Sequence, residues 1–283
     1  MDPIYRIDHD GRPRYALHRE GGWRLLEGDP FGRHTAGAPL EAGVPRVLAP
    51  VVPSKIVAVG LNYKDHAAEM NKPLPDEPLI FLKPSTAVIG TGEAIVIPPG
   101  AGRVDYEAEV GVVIGRTARN IPASRAHDYV LGLTCVNDVT DRDLQRRDVQ
   151  YTRAKGFDTF APVGPCIAAG DLDRPIGVES SVNGERRQHS STGELIFSIR
   201  RLVEFVTGVM TLLPGDIIST GTPPGVGPIV PGDRVVITVE GVGELVNDVV
   251  AAGVAVRGDT PCGTETSVGT PMAGRPGQGV SKR

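Results

Sequence analysis

The stretch Val104-Asp105-Tyr106-Glu107-Ala108-Glu109-Val110-Gly111-Val112-Val113-Ile114-Gly115 alternates in character. Read as a strand, it turns Asp105, Glu107 and Glu109 to one face and Tyr106, Ala108, Val110, Val112 and Ile114 to the other. The apolar face requires a packed layer behind it, so the strand belongs in a sheet with a core on its back. The acidic face stacks carboxylates only about 7 Å apart, where they repel one another. Two readings fit: a solvated acidic face, or oxygen ligands for a hard divalent cation such as Mg²⁺ or Mn²⁺.

The 283 residues suffice for one large domain, alone or with a small appendage. With 40% hydrophobic and 23% charged residues, the composition is that of a soluble globular protein. A net charge of −4 gives no reason to expect a nucleic-acid partner. The 25 Pro and 36 Gly predict many turns and short strands. Cys135, Cys166 and Cys262 are far apart and odd in number, which argues against a disulfide framework or a zinc site and suits a reducing, cytoplasmic setting. No apolar run is long enough to span a membrane, and the N-terminus lacks the pattern of a signal peptide.

Residues 1–50 read as a small β unit. Ile4 to Ile7, a turn at Asp10-Gly11, Arg14 to Leu17 and Trp23 to Leu26 make a three-strand meander. Thr35 to Pro53 reads as a linker. Lys55 to Val59 is a short strand, followed by a short helix with Asn62 as its N-cap. On that helix His66 and Glu69 share a face and could orient a water, or be a chance surface pair. Leu79 to Leu82 is a further strand, and Pro122 to Asp128 reads as helical. Val130 to Val139 reads as a strand carrying Asp138 near its end, and Asp141 to Asp148 as a polar, Arg-rich helix. Lys155 follows in a loop. Asn183-Gly184 marks a hairpin. Ser191 to Glu194 forms a capping box before a helix with an apolar stripe at Leu195, Ile196, Ile199, Leu202, Val203 and Val206. A β section closes the fold. The tail, residues 258–283, has a composition expected to be disordered.

Several of these blocks, in this order, make a combined signature: Gly60-Leu61-Asn62-Tyr63 with His66 and Glu69; Phe81-Leu82-Lys83-Pro84; Asp105-Tyr106-Glu107-Ala108-Glu109; Asn137-Asp138-Val139-Thr140 with Arg142 to Gln145; Lys155-Gly156-Phe157-Asp158-Thr159; Val182 to Glu185; and Gly221-Thr222-Pro223. Together they resemble the fumarylacetoacetate hydrolase family over residues 53–252. The resemblance implies an α+β, mainly β fold, a mixed β-roll or sandwich with few short helices, and usually a homodimer. It implies Glu107, Glu109 and Asp138 as metal ligands, with Asp105 supporting them or facing solvent.

The same resemblance implies an enzyme that binds a small 2-oxo acid to Mg²⁺ or Mn²⁺ and cleaves or isomerises it next to the carbonyl. Lys155 would add positive charge or shuttle a proton, and His66 with Glu69 would activate water or place a proton. Arg142, Gln145, Gln188 and Thr222 match substrate-contacting positions. The chain departs from the animal fumarylacetoacetases. Val149 replaces a Tyr, Asn62 stands where they offer an acidic residue, and segment 1–50 replaces a larger N-terminal domain. It is more similar to the shorter bacterial members, which include acylpyruvate hydrolases, oxaloacetate decarboxylases and the hydroxymuconate or hydroxyheptadienedioate isomerases of aromatic catabolism. The alternative expectation is a non-catalytic metal-binding protein that keeps the fold.

Overall fold

The computed structural model describes residues 2–19, 22–40 and 43–253. The tail expected to be disordered lies outside the described residues. In chain order the strands are β1 (Ile4–His9), β2 (Arg12–Arg19), β3 (Gly22–Gly28), β4 (His34–Pro39), β5 (Val47–Leu48) and β6 (Ile56–Val59). Helix α1 (Lys64–Glu69) leads to β7 (Ile80–Lys83), β8 (Val88–Ile89), β9 (Ile95–Ile97), β10 (Val104–Tyr106), β11 (Ala108–Ile114), β12 (Val130–Asn137) and β13 (Thr140–Asp141). Then come α2 (Arg142–Arg147), α3 (Thr152–Lys155), β14 (Ala161–Ala168), β15 (Gly177–Val182), β16 (Glu185–Ser191) and α4 (Ile199–Val209). The chain closes with β17 (Ile217–Ser219), β18 (Gly227–Pro228), β19 (Arg234–Val239) and β20 (Gly243–Ala251). Strands dominate and helices are few and short, as expected.

A long sheet runs in the order β4-β3-β2-β1-β14-β12-β11-β17-β6-β7. A five-stranded sheet, β16-β15-β19-β20-β9, packs on one of its faces. The main core lies between them. From β11 it takes Ala108, Val110, Val112 and Ile114, the apolar side read from the sequence, and from the second sheet Val178, Val235, Ile237 and Leu245. The other face of β11 supplies Val113 to a second core with Ile4, Leu17, Leu26, Ile56 and Ile217.

Local sequence explains the turns. Asp10 and Gly11 have φ of 54° and 73°, and Asn183 and Gly184 have 54° and 82°. Positive φ at both central positions is the hairpin turn these dipeptides favour. The meander of β1 to β3 is present, and β4 adds a fourth strand inside the segment read as a linker. Two helix starts differ from expectation. Helix α4 begins at Ile199, capped by the Ser198 hydroxyl, while Ser191 caps only a short 3-10 turn over Thr192–Glu194. Its buried stripe is Ile199, Leu202, Val203 and Val206, each contributing about 1.5–3 kcal/mol of burial. Asn62 is not the N-cap of α1. Tyr63 holds that position, and the Asn62 amide bonds the Thr220 carbonyl at 2.7 Å and the Phe197 backbone instead. Among the described residues no helix is long and apolar enough to cross a membrane.

Candidate active site

The acidic strand changes sheets at its second carboxylate. β10 ends at Tyr106 and joins a small sheet with β13 and β18, whereas β11 begins at Ala108 in the long sheet. Glu107 sits in the break. Side chains take the amides there: Glu107 N donates to Asn137 Oδ1 and Ala108 N to Gln188 Oε1, each at 3.0 Å. Asp138 follows β12 directly, and its amide donates to the Glu107 carbonyl at 2.9 Å. Strand pairing thus places Asp138 beside the break. The carboxylate oxygens of Glu107, Glu109 and Asp138 lie within 4.8 Å of one another, and all three residues are buried.

Cations surround this trio. Lys155 Nζ donates to Glu107 Oε2 at 3.0 Å, Asp138 Oδ2 at 2.6 Å and Thr140 Oγ1 at 2.8 Å, over the Phe81 ring. Lys83 Nζ donates to Asp138 Oδ1 at 2.5 Å. Arg142 reaches Glu107 Oε1 at 2.5 Å. Glu109 has no such partner among the described residues; its Oε2 accepts from Ser219 Oγ at 2.6 Å and Gly221 N at 2.9 Å. The two glutamates therefore differ in acidity. Burial, with Asp138 and Glu107 close by, pushes the Glu109 carboxyl up to about 8. Burial opposes ionisation of Glu107 as well, but Lys155 and Arg142 outweigh it and hold that carboxyl at about 2. Burial lowers Lys83, against the pull of Asp138, whereas for Lys155 burial is overcome by Asp138 and Glu107, and it is raised.

The donor set is all oxygen, buried and convergent, which fits a hard divalent cation. Glu107, Glu109 and Asp138 would hold it. A second group, His127, Asp171 and Asp173, is exposed, and Arg200 Nε pairs with Asp173 at 2.5 Å. It is a surface ion pair.

The two glutamates of the trio open onto a cavity of about 600 Å³. Glu107, Glu109, His66, Glu69, Lys155, Arg142, Gln145 and Thr222 line it, while Asp138 and Gln188 stand behind the wall. His66 Nδ1 is 2.8 Å from Glu69 Oε2, so the pair expected from the i, i+3 spacing is formed. Glu69 Oε1 also accepts from Gly225 N at 3.2 Å, and Asp65 Oδ2 from Ser190 Oγ at 2.8 Å. These two bonds clasp α1 to β16 and to the loop before β18. Arg142 starts α2, whose N-cap Asp141 accepts from Asp143 N and Leu144 N. Its guanidinium reaches Asp105 Oδ2 at 2.8 Å, Gln145 Oε1 at 2.9 Å and Glu107. Asp105, 1% exposed, sits between Arg142 and Arg103 rather than in solvent. Gln188 has its polar atoms engaged by Ala108 N, Ser180 Oγ, Thr222 Oγ1 and the Pro223 carbonyl. Thr222 Oγ1 donates to the Ala108 carbonyl at 2.9 Å.

Lys83 is a site residue that sequence reasoning passed over. It appeared in the Phe81-Leu82-Lys83-Pro84 block without a role. The available signal was strand periodicity, which puts Phe81 and Lys83 on one face of β7, and both prove to lie against Lys155 or its partner Asp138.

Comparison with known proteins identifies the family and the fold. The profile "Fumarylacetoacetate (FAA) hydrolase C-terminal" matches residues 55–250. An uncharacterized protein of Archaeoglobus fulgidus is 56% identical over 205 residues, 72% of this chain and 82% of its own. The crystal structure of 5-carboxymethyl-2-hydroxymuconate delta-isomerase from Mycobacterium smegmatis superposes with a TM-score of 0.82 at 44% identity, covering 88% of this chain and 99% of that one. That of 2-hydroxyhepta-2,4-diene-1,7-dioate isomerase from Mycobacterium marinum gives 0.82 at 41% identity, covering 89% and 100%. The chain belongs to the fumarylacetoacetate hydrolase family.

Proposed function

We propose that this chain is a divalent-metal-dependent enzyme that isomerises 2-oxo acids, or their enols, of the 5-carboxymethyl-2-hydroxymuconate or hydroxyheptadienedioate type. The observation that carries this reading is the convergence of Glu107, Glu109 and Asp138 beside a cavity that also holds the His66–Glu69 pair. The names of the two structural neighbours support the choice of skeleton. Mg²⁺ or Mn²⁺ bound by the three carboxylates supplies a Lewis acid for the keto oxygen and countercharge for the negative charge that grows there.

The protein's own groups divide the remaining work. Arg142 has N–H groups left over after serving Asp105, Gln145 and Glu107, and these hold the substrate carboxylate. His66 Nδ1 is tied to Glu69, so Nε2 is the atom that takes a proton from the carbon chain and returns it. Lys155 steadies negative charge from the cavity wall. Gln145 and Thr222 orient the substrate, and Gln188 fixes Thr222 and the Ala108 amide from behind. A second reading, hydrolysis or decarboxylation beside the carbonyl, draws on the same His66–Glu69 pair, whose 2.8 Å bond suits it to activate a water.

Ultraviolet-followed turnover of a hydroxymuconate-type dienedioate, acetylpyruvate and oxaloacetate, with Mn²⁺ and with EDTA, tests these readings. Isomerisation of the dienedioate that EDTA abolishes is the expected result. Cleavage of the other two with the dienedioate untouched would favour the second reading. A Glu107→Ala variant that keeps full activity and metal affinity would overturn both.

A further inference from the structure

We infer that Lys83 is a positioning residue: it grips Asp138 Oδ1 from the protein side and so dedicates Oδ2 to the metal site. The inference rests on the metal-site reading above. Asp138 meets two ammonium groups, one per oxygen. Lys155, on Oδ2, lines the cavity. Lys83, on Oδ1, is 0% exposed, does not line the cavity and has the Val139 carbonyl as its other acceptor at 3.3 Å. No substrate atom reaches it, so any action on the reaction passes through Asp138.

The geometry explains why a charged group occupies so buried a place. Asp138 directly follows β12, and the next strand begins only at Thr140. Its carboxylate therefore stands at the end of a strand rather than inside a ladder, and its orientation is set by what holds its two oxygens, Lys155 on Oδ2 and Lys83 on Oδ1. Glu109 has its Oε2 held by Ser219 and Gly221, and Glu107 its Oε1 held by Arg142. Lys83 does the corresponding work for Asp138. Each carboxylate of the trio is thus pinned by a group of the protein. The holder comes from β7, the edge strand of the long sheet, whose pairing with β6 places Lys83 opposite Ile56. Metal ligands generally depend on such outer partners for orientation, and their loss commonly lowers metal affinity about 10–100-fold.

Two accounts of Lys83 predict opposite signs. A like charge beside a cation site repels the cation, so removing a mere counter-charge tightens binding. Removing a positioning group loosens it. Lys83→Met keeps length and apolar stem and removes the ammonium. Mn²⁺ affinity is measured by titration calorimetry, and the bound ion is examined by electron paramagnetic resonance. We expect Lys83→Met to bind Mn²⁺ roughly 10–100-fold more weakly than the parent, with an altered spectrum of the bound ion. Lys83→Gln, which retains a donor without the charge, recovers part of the affinity; should the Met variant fail to fold, the Gln variant is compared with the parent alone and is expected to be weaker. Affinity within twofold of the parent, or tighter, in whichever variant folds overturns the inference. A parent protein that binds no Mn²⁺ overturns the metal-site reading itself, and with it this one.

Discussion

Glu107 and Glu109 stand two residues apart on one strand, yet their surroundings drive them in opposite directions. Glu109, pushed up to about 8 from an ordinary 4.5, is favoured in its neutral form by the fold. Its contribution to stability is complete below pH 4.5 and is lost as the pH climbs through 8. Glu107, held at about 2, contributes above 4.5 and lets go as the pH falls through 2. The metal-free protein is therefore expected to lose stability from Glu109 between pH 5 and 8, on the order of a few kcal/mol, and Glu109→Gln to flatten that slope in thermal melts. A cation held by the trio would compete with this proton. Near pH 7, Mn²⁺ binding should release about one proton, read from calorimetry in buffers of different ionisation enthalpy, and its affinity should rise with pH up to about 8. At His66 the expected outcome concerns chemistry alone. His66→Ala lowers kcat about 10²–10⁴-fold and leaves Mn²⁺ affinity unchanged, because His66 bonds Glu69 and none of the trio.

At the scale of elements, the clasp over α1 decides how the His66–Glu69 pair meets the cavity. Gly225 N holds Glu69 from a backbone at φ 94°, and a Cβ added there would meet the Arg187 carbonyl at 2.3 Å. Gly225→Ala is therefore expected to displace the loop, break that bond and lower kcat by about tenfold or more with a loss of about 1–3 kcal/mol in denaturant unfolding. The sequence made some elements legible and hid others for identifiable reasons. Asp10-Gly11 and Asn183-Gly184 carry their turn geometry in two residues, and the apolar side of β11 shows as alternation. The break at Glu107 does not show, because the alternation runs straight across it and the change of sheet depends on β13 and β18, which lie far along the chain. Asn62 looked like a cap because caps are local; its partners Thr220 and Phe197 are remote. Lys83 was hidden by the general rule that lysine stays outside. Its burial makes sense only once Asp138 is seen beside it.

The whole molecule raises the question of what segment 1–50 contributes. The sequence suggested a small unit beside the catalytic region. In the structure its strands extend the long sheet, with β1 pairing to β14 and Ile4 opposite Ile167. Ile4, Leu17 and Leu26 pack into the second core with Ile56, Val113, Val163 and Ile217. That core underlies the site. β6, which carries Ile56, leads into α1, and β17, which carries Ile217, leads to Thr220, Gly221 and Thr222. Removing residues 1–43 would bare the faces of β6, β14 and β17. At about 25 cal/mol per Å² of apolar surface, the several side chains uncovered correspond to on the order of 5 kcal/mol, comparable with the whole stability of many domains. The truncated chain is expected to be poorly soluble or to unfold at markedly lower denaturant, and what folds should bind Mn²⁺ with the parent's affinity, since no ligand or holder of the trio comes from the deleted residues. A truncated chain with an unchanged unfolding midpoint would show instead that these strands are an appendage the catalytic core does not need.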